Sequence, residues 1–311
     1  MAIVLLLNLL AYFHARAMTS YSAGGERTTP PERLSALGKA QILLTGVNLP
    51  RPVTVKTPAE LGLSYQTHII SRKGGLDLEA WRIPGDGLRP VVIMFHGYGS
   101  CKDQLLDEAR GFHEFGCETV LVDFRGSGGS GGNETTLGVY EADDVAMAVD
   151  FAKKSSGPRP LILYGKSMGS VAILRAIATA QVNPAALILE CPFDRLITTV
   201  KNRFSAMGVP SFPFAQLLVF WGGVQQGMNG FAHDPVEYAA SVRCPVLLLH
   251  GEQDPRVSVL QVRSIYDNFG GDKELVVFPR AGHESYLADD SERWKRAVGE
   301  FLERVTSIDA K

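Results

Sequence analysis

Residues 160–180 read PLILYGKSMGSVAILRAIATA, a stretch that changes from strand-like to helix-like sequence within a few residues. PLILY is an apolar run typical of a strand buried on both faces, and MGSVAILRAIATA has the apolar spacing of a helix. Between them lies GKSMG at 165–169, a G-x-S-x-G pattern. Gly165 and Gly169 permit a sharp turn that lifts the Ser167 hydroxyl clear of the sheet, at the positive end of the helix dipole. This predicts Ser167 as a nucleophile.

The same pattern occurs a second time, as GGSGG at residues 128–132. This match lies several residues beyond the apolar run before it, and the NETT that follows has no helical spacing. A nucleophile needs a strand directly before it and a helix directly after it. We therefore predict a loop at 128–132, and we expect the preceding Asp123 and Arg125 to brace neighbouring loops.

Outward from Ser167, short apolar runs alternate with segments of helical spacing from residue 64 onward. Alternation of this kind predicts an α/β fold with a mostly parallel central sheet and helices on both faces. The first two predicted strands flank Gly74-Gly75, which indicates a hairpin. The predicted strands are 67–71, 76–83, 91–95, 118–124, 160–165, 185–190, 245–251 and 274–279, and the predicted helices are 103–115, 138–154, 168–180, 258–269 and 289–305.

The interval between Glu190 and Cys244 breaks this alternation, because it holds no predicted strand. Its composition is more apolar and aromatic than a surface loop requires. In an open α/β sheet, ligands bind outside the carboxyl ends of the strands, where an insertion can cover them. We predict a small helical lid at about 195–235, with an ordinary pair of packed helices as the alternative. The aromatic and sulfur-containing residues concerned are Phe212, Phe214, Phe220, Trp221, Met228 and Phe231.

A serine hydroxyl is a weak nucleophile unless a base takes its proton and a carboxylate orients that base. Asp254 follows the apolar run PVLLLHG, and His283 follows ELVVFP. Both therefore lie in loops at the carboxyl ends of predicted strands, on the same rim as Ser167. We predict His283 as the general base and Asp254 as its orienting acid. Glu252, two residues away, is the alternative acid.

Charge that develops on a substrate oxygen is stabilised by backbone N–H groups. We expect one from Met168, directly after the nucleophile, and one from Tyr98 in the loop His96-Gly97-Tyr98-Gly99. Gly97 allows close approach of the backbone, and we expect His96 to form hydrogen bonds within the loop. The pattern leaves Lys166 unconstrained, and we expect its side chain to point away from the site.

These motifs together resemble the α/β-hydrolase superfamily, and more narrowly its carboxylesterase and serine-aminopeptidase-like branch. The resemblance covers roughly residues 60–305. It implies an α/β-hydrolase fold, a triad of Ser167, Asp254 and His283, and oxyanion donors at Tyr98 and Met168. The HGGG loop of hormone-sensitive-lipase-like esterases is absent because position 98 is Tyr. The motifs are HG at 96–97, DFRGSGGS at 123–130, GKSMG at 165–169, HGEQD at 250–254 and GHESY at 282–286.

The function predicted is a carboxylesterase-type serine hydrolase that cleaves esters of short to medium acyl chain. Alternatives of the same fold are a peptidase, an acyl-thioesterase and a monoacylglycerol lipase, and the alternative from another class is a non-catalytic binding module. A peptidase would require an acidic pocket for the substrate amine, for which Glu190, Asp194 and Glu284 are candidates. Serine at position 167 argues against the dehalogenases and epoxide hydrolases, which carry Asp there.

The partner we expect is a small-molecule ester, and the composition argues against nucleic acid. The net charge is −2, and basic stripes of the kind that bind nucleic acid are missing. We expect no cofactor and no metal, since no ligand spacing of a known metal motif occurs. The sequence leaves the oligomeric state open.

The N-terminal residues 1–18 are apolar, with AIVLLLNLLAYF at 2–13. Three interpretations remain: a signal peptide, the remnant of a membrane anchor, or a helix packed on the domain. We expect export or membrane anchoring, and with it membrane association. Residues 19–60 are interpreted as a linker wrapping onto the core, and 61–311 as the hydrolase domain.

Overall fold

The predicted apolar runs form one eight-stranded sheet in a computed structural model that describes residues 1–71 and 75–308. The strand order is β1-β2-β4-β3-β5-β6-β7-β8. The strands are β1 (Gln66–Ile70), β2 (Leu78–Ile83), β3 (Val91–Phe95), β4 (Glu118–Val122), β5 (Leu161–Lys166), β6 (Ala186–Glu190), β7 (Val246–Gly251) and β8 (Lys273–Phe278).

The sheet is antiparallel at one edge and parallel elsewhere. β1 pairs with β2 and β2 with β4 in antiparallel register, whereas β4, β3, β5, β6, β7 and β8 run parallel. The predicted mostly parallel α/β fold is therefore confirmed. Of the predicted hairpin glycines, Gly74 lies outside the described residues.

Helices cover both faces of the sheet. They are α1 (Ala2–Thr19), α2 (Ala36–Thr45), α3 (Leu106–Glu114), α4 (Glu141–Ser155), α5 (Met168–Ala180), α6 (Leu196–Met207), α7 (Phe214–Gln226), α8 (Pro235–Ala239), α9 (Val259–Asn268), α10 (Tyr286–Asp289) and α11 (Ser291–Ile308).

The alternation of side chains along β3 explains why both faces need cover. Val91, Ile93 and Phe95 belong to an apolar cluster shared with α4, α5 and α9. Val92 and Met94 belong to a second cluster shared with α3 and α11. All five side chains are buried, so this central strand is apolar at every position.

The interval after β6 contains α6, α7 and α8 and no strand among its residues. α7 packs against the N-terminal helix α1. Trp221 of α7 donates a hydrogen bond from Nε1 to Asn8 Oδ1 at 3.1 Å, and Gln225 Nε2 donates to the carbonyl of Tyr12 at 2.8 Å. The division into an N-terminal segment, a linker and a hydrolase domain stays a prediction.

Parallel strands place their carboxyl ends along one edge of the sheet. The residues that follow β3, β5, β7 and β8 therefore lie on one rim. The predicted site residues occupy those positions.

Candidate active site

Ser167 is the only residue between β5 and α5. Its backbone has φ 52° and ψ −112°, a conformation that L-residues rarely adopt. The tightness of the turn explains both flanking glycines. A Cβ on Gly165 would lie 2.5 Å from the backbone nitrogen of Ser170, and a Cβ on Gly169 would lie 2.3 Å from the carbonyl oxygen of Phe95.

His283 connects Ser167 to Asp254. Its Nε2 lies 3.1 Å from Ser167 Oγ, and its Nδ1 lies 2.6 Å from Asp254 Oδ2. The other carboxylate oxygen of Asp254 accepts hydrogen bonds from the backbone N–H groups of Arg256 and Val257, at 2.8 and 3.1 Å. These contacts fix the carboxylate, which in turn fixes the imidazole ring. Hydrogen bonds therefore join Ser167, His283 and Asp254 into one continuous network.

Glu252 takes no part in these contacts, since its side chain is exposed. Of the two carboxylates considered from the sequence, the structure places Asp254 against His283.

The charges of His283 and Asp254 are coupled. Burial of the imidazole disfavours its protonated form, but the neighbouring Cys191 and Asp254 outweigh this effect, and the pKa of His283 lies above its usual value. Burial also acts to raise the pKa of Asp254, but its hydrogen bond to His283 and the charge of that ring hold it below its usual value. The carboxylate is thus ionised at neutral pH and stabilises positive charge on His283.

The loop after β3 lies directly against Ser167. A Cβ on Gly97 would be 3.7 Å from Ser167 Cβ. Among the described residues, the Tyr98 N–H has no hydrogen-bond acceptor. The N–H of Met168, as the first residue of α5, precedes the intrahelical hydrogen bonds. Both predicted donors are thus backbone N–H groups beside the Ser167 turn.

His96 supports this loop, as we expected from the sequence. Its Nε2 accepts a hydrogen bond from the Phe124 N–H at 3.1 Å, and its Nδ1 lies 2.9 Å from the Gly97 carbonyl oxygen. Burial lowers the pKa of His96, which favours the neutral ring that these two contacts require.

The N-terminal segment holds the same loop from the other side, which sequence reasoning missed. The Tyr98 hydroxyl donates to the carbonyl of Met18 at 2.6 Å, and Arg27 Nη1 donates to the carbonyl of Gly99 at 2.5 Å. No motif marks these contacts, because the partners are 80 and 72 residues apart in the chain.

A cavity of about 670 Å³ opens beside Ser167 and His283. α6, α7 and the segment from His14 to Leu49 form its walls. Lys166 is among the residues that line the cavity, and its Nζ lies 3.7 Å from Oε1 of Glu108, which is not. The apolar lining residues include Met18, Ile42, Leu43, Leu49, Phe193, Val200, Phe204, Met207 and Leu218.

Cys191 is a second residue that the motifs did not single out. It follows β6, has φ 40° and is fully buried. Its Sγ and one ligand atom each from Asp254 and His283 lie within 4.8 Å of one another. The donor types match those of a metal site, but the His283 nitrogens already face Asp254 and Ser167. The position of Cys191 directly after a predicted strand is the sequence signal that could have placed it at the site.

The second G-x-S-x-G match forms a loop, as predicted. Ser130 Oγ donates to the carbonyl of Asp123 at 2.7 Å and accepts from the Glu79 N–H at 2.9 Å. The Arg125 guanidinium pairs with Asp144 at 2.6 Å. These side chains tie loops to the sheet and do not line the cavity beside Ser167.

Comparison with known proteins agrees with this architecture. Residues 87–216 match the family model described as serine aminopeptidase, S33. The chain is 26% identical over 240 residues to the uncharacterized protein YqkD of Bacillus subtilis, which covers 76% of this chain and 79% of that protein. It is 25% identical over 263 residues to a lysophosphatidylserine lipase, ABHD12 of Danio rerio, which covers 75% of this chain and 66% of the lipase.

Among solved structures, an esterase of Pyrococcus furiosus, Pf2001, matches with a TM-score of 0.69 and 26% identity. The match covers 83% of this chain and 97% of the esterase. The family model and these relatives indicate a hydrolase. The chain therefore has the α/β-hydrolase fold, and its residues 87–216 are similar to the serine aminopeptidase (S33) family.

Proposed function

We propose that the chain is a serine hydrolase that cleaves carboxylic esters of short to medium acyl chain through an acyl-enzyme on Ser167. The observation that carries the proposal is the contact of His283 with both Ser167 Oγ, at 3.1 Å, and Asp254, at 2.6 Å. A base within hydrogen-bonding reach of the hydroxyl, itself oriented by a carboxylate, is the arrangement that makes serine nucleophilic.

In the acylation step, Ser167 Oγ attacks the ester carbonyl while its proton passes to His283 Nε2. Asp254 stabilises the imidazolium that forms. The tetrahedral intermediate then collapses, the bond between the acyl carbon and the alcohol oxygen breaks, and the alkoxide takes the proton back from His283. The products are the free alcohol and an acyl ester of Ser167.

Backbone donors stabilise the negative charge of the intermediate. We assign this role to the N–H groups of Tyr98 and Met168, the first of which lacks an acceptor among the described residues. Deacylation repeats the sequence with water as the nucleophile. His283 takes a proton from the water and returns it to Ser167 Oγ when the carboxylic acid leaves.

The cavity favours an ester over a peptide with a free amine. No described residue that lines it is Asp or Glu. Glu190 is buried and accepts from Trp294 Nε1, Asp194 accepts from Gln261, and Glu284 accepts from the Gly282 N–H. None of the three carboxylates lines the cavity beside Ser167.

The esterase and lysophosphatidylserine lipase among the relatives support an ester substrate. The volume of about 670 Å³ and the apolar lining suit a single acyl chain. We also propose that α6 and α7 act as a lid over this chain, because residues of both helices line the cavity.

We further propose that the protein associates with a membrane surface through α1. Of the described helices, only α1 has the length and apolar composition of a membrane span. One face of it packs on α7, while the outer face exposes apolar side chains such as Leu5 (71% exposed) and Leu9 (51%). Apolar side chains presented along one helix face partition into the boundary between lipid headgroups and acyl chains.

The first prediction concerns reaction type. Short and medium p-nitrophenyl esters should be hydrolysed faster than the matched p-nitroanilides and thioesters, because the proposed site is an ester site without an amine-binding carboxylate. Ser167→Ala should lower kcat by roughly 10³-fold or more. Initial rates across the panel provide the measurement. Faster hydrolysis of the amides would contradict the proposal.

Ser130→Ala is the matched control for that experiment, because Ser130 occupies the same position in the second G-x-S-x-G match. It should retain ester hydrolysis once thermal melting shows that the variant is folded. If folded Ser130→Ala lost activity while Ser167→Ala retained it, the nucleophile would be Ser130, and the proposal would be contradicted.

The second prediction concerns the charge of His283. Its pKa should lie above 6.5 in the wild type and fall in Asp254→Asn, because a neutral amide no longer stabilises the imidazolium. Hydrolysis should therefore rise with pH as His283 loses its proton, and this limb should shift to lower pH in the variant. NMR titration of the His283 ring measures the pKa directly. Glu252→Gln is the control, and a larger fall there than in Asp254→Asn would reverse the assignment of the acid.

The third prediction concerns membrane association. The wild type should cosediment with phosphatidylcholine vesicles, and the double variant Leu5→Glu/Leu9→Glu should cosediment less, because charge replaces two lipid-facing leucines. Leu260→Glu, at a leucine that is 79% exposed on α9, is the matched control and should bind as the wild type does. Equal binding of the wild type and the double variant, or no binding of either, would refute this role of α1.

A further inference from the structure

The cavity beside Ser167 concentrates positive charge. Its basic lining residues are Arg27, Arg33, Lys166, Arg203 and Arg256, and no described lining residue carries a carboxylate. The whole chain has a net charge of −2, so this excess belongs to the cavity and not to the protein as a whole.

Two of these arginines are already engaged. Arg27 donates to the backbone carbonyls of Gly99 at 2.5 Å and Tyr98 at 3.4 Å. Arg256 forms an ion pair with Glu32, at 2.8 Å from Nη2 and 3.0 Å from Nε. Both guanidinium groups therefore have protein acceptors that compensate for their partial removal from water.

Of the other three basic residues, Lys166 and Arg33 are accounted for differently. Lys166 lies 3.7 Å from Glu108, which neutralises its charge. Arg33 is exposed to solvent. Lys166 therefore has an anionic partner, and Arg33 has solvent.

Arg203 of α6 differs from all four. It is half-buried, and no oxygen of the described residues accepts a hydrogen bond from its guanidinium. Its guanidinium lies over the ring of Tyr98, with the ring centroid 5.8 Å from Arg203 Cζ. Burial lowers the pKa of Arg203, and the nearby Arg256 acts in the same direction, whereas Glu32, whose hydrogen bonds go to Arg256, acts in the opposite direction; the guanidinium remains charged at neutral pH.

A half-buried guanidinium without a protein acceptor loses part of its hydration, and cation–π contact with one ring compensates only in part. Its N–H groups face a cavity that also contains Ser167. The planar fork of arginine binds the paired oxygens of a phosphate or carboxylate better than it binds water. An anionic group in the cavity would supply the acceptors that the protein does not.

We propose that Arg203 forms an anion subsite, which binds a phosphate or carboxylate carried by the ester that Ser167 cleaves. The proposal rests on the function proposed above and narrows its substrate class to anionic amphiphiles with one acyl chain. The apolar lining residues hold the acyl chain, and Arg203 holds the anionic group. Arg203 is a binding residue in this account and takes no part in bond cleavage.

Three esters with one acyl chain test the subsite: 1-octanoylglycerol, which is neutral, its 3-phosphate, and the octanoyl ester of glyceric acid, which carries a carboxylate. The wild type should show a higher kcat/KM for at least one anionic ester than for the neutral one. The better anionic ester identifies which of the two groups the subsite takes.

Arg203→Gln should lower kcat/KM for the preferred anionic ester roughly 10- to 100-fold more than for the neutral ester, because a charge-assisted hydrogen bond is lost. Arg203→Lys keeps the charge but loses the planar fork, and its loss should be intermediate. Lys201→Gln removes a positive charge from an exposed position of the same helix, and it should leave the preference of the wild type unchanged.

Equal losses on all three esters in Arg203→Gln would show that Arg203 has only a structural role and would overturn the subsite. So would a wild type that prefers the neutral ester. If Ser167 hydrolyses 1-octanoylglycerol without any preference for the anionic esters, only the subsite fails. If no ester is cleaved by the folded protein, the proposed function fails first.

Discussion

The backbone of Ser167 is the constraint on which the site depends. One residue connects a buried parallel strand to a helix, and it does so at φ 52° because no side chain at position 165 or 169 obstructs the turn. The sheet and the helix are both anchored in the core, so the conformation cannot relax without moving them. The Ser167 hydroxyl is thereby presented at the rim where the other parallel strands end.

The same rim explains why residues distant in sequence meet there. Asp254 and His283 follow neighbouring parallel strands, and their loops leave the sheet at the same edge as Ser167. The geometry then determines the electrostatics. Asp254 is ionised, the imidazole is stabilised when charged, and the hydroxyl proton has an acceptor within hydrogen-bonding distance. A strained turn and a coupled acid–base pair together make an unreactive alcohol into a candidate nucleophile.

The sheet could be predicted from the sequence, and so could the meeting of the site residues at one edge of it, because local signals specify both. The strand at 91–95 is apolar at every position, and the turn at Ser167 is marked by its two glycines. The contact of Tyr98 with Met18 could not be predicted, because it joins an oxyanion-loop candidate to a segment without periodicity or motif. The unpaired state of Arg203 could not be predicted either, because it depends on which oxygens α6 brings near it.

Mass-spectrometric mapping of a fluorophosphonate adduct tests the central claim most directly, because the reagent phosphonylates a serine only where the protein activates it. The account predicts one adduct, on the peptide that contains Ser167, and much slower labelling in His283→Ala because the base is missing. An adduct confined to another residue, such as Ser130, or no adduct on the folded protein, would contradict it.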